Sequence, residues 1–203
     1  MALELRAGGV SERFKVRLSK SRVAARPPRV RISPPPPRDT MLGMTETSRA
    51  GSHDDAHYME RALALARRAV TMGEVPVGAV LVRDGSVLIE AHNLIESTPD
   101  ALAHAEMLVL KEAARLAQSW RLEGVTLYVT LEPCPMCAGA MVLARITRLV
   151  YAAPDPRKGA VDSVYDVLRH PANNHRVEVS AGLMSEPAGK LLRDFFLTRR
   201  GKA

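Results

Sequence analysis

Both cysteines of the chain lie in one short stretch, "LEPCPMCAGAM", as Cys134 and Cys137. No other feature restricts the possible architectures so sharply. A disulfide framework needs several cysteines spread so as to close long loops, and a bridge across two intervening residues would constrain almost nothing. A bridge-rich secreted fold is therefore excluded. Three readings are left open. A redox dithiol also sits where a strand runs into a helix. A structural zinc site needs four protein ligands, so histidines would have to complete it. A catalytic zinc site needs only three, because water takes the fourth position.

The 203 residues suit one domain with an extension. No apolar run reaches the ~18 residues of a membrane span, and no charged start, apolar middle and small-residue cleavage site is visible. The expectation is a soluble cytoplasmic protein with no membrane partner, whose thiols stay reduced and free to bind metal. The net charge of +7 points toward nucleic acid only until its distribution is read. Residues 1–52 hold 11 Lys and Arg against 4 Asp and Glu, and residues 53–203 hold 18 against 18. All the excess lies in the first segment. That segment also has six prolines, including Pro34 to Pro37, and no periodic apolar pattern. Composition thus predicts a disordered basic extension over 1–52 and a zinc-dependent domain over 53–203. An upstream-extended start is the favoured explanation, since Met41 and Met44 would each open the chain just before the domain; a transit peptide is the rival.

From His57 onward Met59, Ala62, Leu63, Ala66, Ala69 and Val70 recur at helical spacing, with Gly73 able to end the helix. Two apolar runs, Val77 to Val82 and Val87 to Ala91, flank "RDGS" and predict a hairpin. A second helix is predicted from about His104 to Gln118, then a buried strand in "VTLYVT", a third helix through Leu143 and a strand in "RLVYAA". "RVEVSAG" supplies a fifth strand, and a last helix runs over 183–200 with Ser185 as its cap. Helices alternating with strands imply an α/β fold, a three-layer α/β/α sandwich on a mixed five-stranded sheet.

"AHAE" places His104 and Glu106 where a loop becomes the second helix. Two residues apart on a regular helix, they would point to nearly opposite sides. At a first turn entered from a bent loop, both can face one cavity. Cys134 and Cys137 fall at the corresponding start of the third helix, with Pro135 suited to its first position. Free backbone N–H groups and the helix dipole there favour thiolate. His104, Cys134 and Cys137 can then hold one zinc ion per subunit, with Glu106 left to move protons. A redox pair gains nothing from His104 or Glu106. A closed site would need a second histidine from His53, His57, His92, His170 or His175, none at the usual short spacing from His104.

H-x-E followed by P-C-x-x-C is the pattern of zinc nucleobase deaminases. With "EVPVGAVLV", "DPRKGAVDS", "NHRVEVSAG" and "LLRDFF" in order around it, the chain from about His53 to Lys202 resembles the bacterial tRNA-specific adenosine deaminases of the cytidine deaminase superfamily. One departure is local. The family commonly reads D-P-x-A-H-A-E, whereas here Pro99 precedes Asp100, so a loop difference with intact ligation is expected.

The resemblance implies hydrolytic deamination of adenosine to inosine at the tRNA wobble position, with a zinc-activated water and Glu106 as proton carrier. It also implies a homodimer acting on an anticodon stem-loop, with an arginine tRNA as the suggested substrate. Asn93 occupies the family position that contacts the flipped base, and Asp155 resembles the residue that contacts the target sugar. Arg157 and Lys158 would meet phosphate. Phe196, Arg199 and Arg200 would lie beside the RNA loop, although most apolar side chains of that helix are expected to be core. Two other functions stay open: a deaminase of a free nucleobase or nucleoside of the guanine or cytidine type, which would use the same zinc chemistry without needing Asp155 or the basic C-terminus, and an RNA-binding module with structural zinc.

Overall fold

The computed structural model describes residues 51–200. The predicted extension lies outside the described residues except for Gly51 and Ser52, whose backbone opens the first helix, α1 (Gly51–Thr71). The hairpin follows as β1 (Gly78–Arg83) and β2 (Ser86–His92). Asp84 and Gly85 both have positive φ, at 51° and 70°, which is the two-residue turn whose twist matches antiparallel strands. α2 (Ala105–Ala117) comes next, then β3 (Val125–Leu131), α3 (Pro135–Ala144) and β4 (Arg148–Ala153). β5 (Glu178–Ala181) and α4 (Ser185–Arg200) complete the order. Ser185 is the first residue of α4, and its N–H bonds Gly182 O at 3.1 Å, so it stands one place further into the helix than the cap position expected of it.

The strands lie in the order β2-β1-β3-β4-β5. β1 is antiparallel to both neighbours, and the β3–β4 and β4–β5 pairs are parallel. The sheet is therefore mixed, as the sequence predicts. Alternation along the strands divides the core into two layers. Val80, Val82, Tyr128, Val150 and Ala152 face α1 and α4. Ala79, Leu81, Leu127, Val129, Leu149 and Tyr151 face α2 and α3. Each helix buries one apolar face, which is what makes a three-layer sandwich. Gly78 lies so close under α1 that a Cβ there would overlap the Ala62 carbonyl oxygen. Across the sheet, Asp55 of α1 takes two hydrogen bonds from Arg148, at 2.9 and 2.8 Å, and one from Tyr128 at 2.6 Å, joining α1 to β3 and β4.

β2, β3, β4 and β5 run in one direction, so their carboxyl ends share an edge, the usual place for a ligand crevice in such sheets. α2 and α3 both start there. So does the crossover over residues 154–177, which contains no helix or strand and packs Ala160, Val161, Leu168 and Val177 into the α2–α3 layer. A connection that long without regular structure generally carries function.

Candidate active site

His104 is the residue just before α2, with extended backbone (φ −68°, ψ 147°). Cys134 stands in the same relation to α3 (φ −73°, ψ 171°), Pro135 is the first helical residue and Cys137 the third. Two helix starts thus bring the three predicted ligands together. Cys134 Sγ lies 3.7 Å from Cys137 Sγ, and His104 Nδ1 lies 3.9 and 3.6 Å from the two sulfurs. Bonds of ~2.3 Å to sulfur and ~2.0–2.1 Å to nitrogen give tetrahedral edges of ~3.8 Å between sulfurs and ~3.6 Å from nitrogen to sulfur. The three donors fit zinc on that test. The Pro99–Asp100 departure leaves this intact: Asp100 turns the loop by accepting the Leu102 N–H on Oδ1 and the Ala103 N–H on its carbonyl oxygen.

The protonation of the cluster follows from its contacts. A hydrogen bond from Cys137, aided by His104, brings the Cys134 thiol down to about 4. The same shared bond, with burial, pushes Cys137 up. Together the sulfurs keep a proton that a divalent cation displaces on binding. His104 is raised chiefly by its contact with Cys134.

Glu106, the second residue of α2, is 4 % exposed, and its Oε2 has no hydrogen-bond partner among the described residues. Burial pushes its carboxyl above the ordinary range, against the opposing charge of His104. An unpaired buried carboxylate oxygen is costly and calls for a proton or a ligand. Asn93, just past β2, is also buried, and its Oδ1 accepts the Ala105 N–H at 2.9 Å. Its Nδ2 makes no hydrogen bond among the described residues.

Asp155 opens the crossover beyond β4 and is half-buried. Its Oδ1 accepts the N–H groups of Arg157 and Lys158, at 2.9 and 3.3 Å, and its Oδ2 bonds nothing among the described residues. Arg157 and Lys158 are exposed, and the charge of Lys158 is felt at His104. On α4, Phe196 is exposed and meets Phe195 edge-on, and Arg200 is exposed. Arg199 lies over the Phe195 ring at 4.9 Å, donates to Gly73 O and pairs with Glu96 at 3.6 Å. The end of α4 is thus tied to the loops after α1 and β2, not to the ligand cluster.

Two buried acids have no predicted role. Glu74 accepts the Ser97 and Glu96 N–H groups, at 2.7 and 3.2 Å, and so fixes the loop leading to His104. Glu132, two residues before Cys134, gathers donors from the far side of the crossover. Burial would raise its carboxyl, but bonds from Ser163, Asp162 and Asp155 hold it below the ordinary range. Each follows or precedes a buried apolar run, and a charge in such a place is itself a sign that partners come from elsewhere.

A MafB19-like deaminase family profile matches residues 53–200. The tRNA-specific adenosine deaminase of Bacillus subtilis (strain 168) is 48% identical over 148 residues, 73% of this chain and 92% of that relative. The chain belongs to the tRNA-specific adenosine deaminase family. A solved structure from work on A-to-I editing by tRNA:A34 deaminases at the wobble position is similar at 45% identity and TM-score 0.65, covering 67% of this chain and 99% of that one. A structure from work on a guanine deaminase of Nitrosomonas europaea, at 22% identity and TM-score 0.61 over 69% of this chain and 83% of that one, shares the fold. The residues of the H-x-E and P-C-x-x-C patterns are the ones that the two helix starts bring together here.

Proposed function

We propose that the chain hydrolyses adenosine to inosine at the wobble position of a tRNA anticodon, with one zinc ion held by His104, Cys134 and Cys137. The observation that carries this is the buried, unpartnered Oε2 of Glu106 beside three donors spaced as a tetrahedral face. Zinc bound there would lower the pKa of a water to about 7. Glu106 is the proton carrier: its carboxylate would take one proton from the attacking water and deliver it to the adenine ring nitrogen as the water oxygen bonds the amine-bearing carbon, then take the second proton from that oxygen and pass it to the amine as the carbon–nitrogen bond breaks. Atoms balance as water in and ammonia out.

Asn93 holds the base. Its Oδ1 is fixed on the N–H of Ala105, the residue between His104 and Glu106, which leaves its Nδ2 to serve as a donor to the ring. Asp155 Oδ2 is free to accept from a sugar hydroxyl, the contact by which protein tells RNA from DNA. Arg157 and Lys158 flank it for phosphate, and Phe196 and Arg200 offer a ring and a cation at the end of α4. A base in an anticodon loop is already outside a duplex, so turning it into the pocket costs little.

The enzyme acts in the cytoplasm as a homodimer. Leu102, Trp120 and Leu143 are 58, 58 and 75 % exposed around a groove of about 420 Å³ between α2 and α3, an apolar face that a second copy would cover. No described helix is long and apolar enough to cross a membrane. The test is inosine formation in an isolated anticodon stem-loop, with free adenosine, cytidine and guanine run in parallel. Turnover of the stem-loop alone supports the proposal; turnover of a free base alone replaces it with the small-molecule reading.

A further inference from the structure

Glu132 sits between β3 and the turn that carries Cys134, and its carboxylate spans the start and the middle of the crossover. Oε2 accepts the Asp155 N–H at 3.0 Å and the Ser163 hydroxyl. Oε1 accepts the N–H groups of Val161, Asp162 and Ser163, at 3.1, 2.7 and 2.9 Å. Backbone bonds stitch the same two segments together: Glu132 N to Ala153 O, and Ala160 N to Pro133 O, both 2.8 Å. Gly159 closes over the carboxylate so tightly that a Cβ there would overlap both Glu132 and the Asp155 carbonyl oxygen. The group is 2 % exposed, so no water substitutes for these donors.

We infer that Glu132 is a positioning residue for sugar recognition: it sets the place of Asp155 relative to the metal turn, and thereby the preference for a ribose at the target adenosine. The inference rests on the reading of Asp155 as the sugar contact. A charged acceptor is needed because five donors converge on two oxygens. In Glu132→Gln one oxygen still serves the three N–H groups of 161–163, but an NH₂ then faces the Asp155 N–H. The Asp155 end of the crossover loses its anchor while the metal turn keeps its backbone bonds.

The experiment compares anticodon stem-loops carrying ribose or 2′-deoxyribose at the target adenosine, with zinc content, kcat and KM measured for the wild type, E132Q, E132D and D155N. For E132Q the expected result is full zinc, kcat within a few-fold and a KM for the ribose substrate raised about tenfold, the scale of one lost charged hydrogen bond. The ribose-to-deoxyribose ratio of kcat/KM should fall toward that of D155N. E132D, which keeps the charge but is one methylene too short to reach both segments, should do the same and carries the test if E132Q does not fold. If D155N collapses the ratio and the two others leave it unchanged, the inference is wrong while the Asp155 reading stands. If D155N itself leaves the ratio unchanged, the sugar-contact reading falls and this inference with it. Zinc lost in step with activity in E132Q and E132D would make Glu132 a support of the metal turn and overturn the inference as well.

Discussion

Asn93 Oδ1 and the Ala105 N–H are joined at 2.9 Å, so the amide at the end of β2 is fixed to the one residue that separates His104 from Glu106. The proposed base contact and the proposed metal ligand are therefore joined through one backbone group. Asn93→Asp keeps the acceptor and removes the free donor. It should retain zinc and lower the unfolding midpoint, because one carboxylate oxygen is left buried and unpaired, while kcat/KM on the stem-loop falls about tenfold to a hundredfold, the scale of one to two hydrogen bonds. Asn93→Ala should also lose about 1 kcal/mol of stability, read by urea unfolding.

His104→Ala, Cys134→Ala and Cys137→Ala should each lower bound zinc together with activity. Elemental analysis of the purified variants checks this, and full zinc in all three would place the metal elsewhere. Removing the metal from the wild type with a chelator should lower its thermal midpoint, because an ion that binds only the folded chain stabilises it.

How much of this was legible in the sequence depended on how far apart the partners lie. The period-3.6 face of α1, the "RDGS" turn and the C-x-x-C at a helix start are local signals, and the structure bears them out. Strand order is not local: nothing along the chain says that β3 sits beside β1. Nothing beside Glu132 in the chain signals its role, since its donors are backbone N–H groups and a hydroxyl 23 to 31 positions downstream. Arg199 reads as a free terminal cation until the fold brings Phe195, Gly73 and Glu96 around it.

Acid should weaken the contact between α1 and the sheet. Burial alone would raise the Asp55 carboxyl, but hydrogen bonds from Arg148 and Tyr128, with the Arg148 charge, hold it below the ordinary range. A depressed folded-state pKa contributes stability that is complete above the unfolded value of ~3.9 and is lost as pH falls through the folded value. Asp55→Asn should therefore cost about 1 kcal/mol at pH 7, a modest figure because the pair is partly exposed to screening solvent. Urea unfolding should show that deficit shrinking as the pH drops below ~4.

Every proposed catalytic group lies beyond residue 53, and the chain from there on is formally neutral. A chain begun at Met44 should fold, bind zinc and deaminate the stem-loop with nearly unchanged kcat. Stem-loop binding should weaken somewhat at low salt and converge with the full-length chain at high salt, since added cations act through phosphate contacts that salt releases. Loss of most turnover with zinc retained would show that residues 1–43 work in RNA binding.

Glu106→Gln tests the chemistry most directly, because the amide keeps the shape of the buried side chain and removes only its ability to carry a proton. Zinc content, stem-loop affinity and single-turnover inosine formation should be measured on one preparation of the variant beside the wild type. The account predicts zinc near one per chain, affinity within a few-fold, and a rate lower by about a hundredfold to ten-thousandfold. Inosine formed at close to the wild-type rate would contradict it.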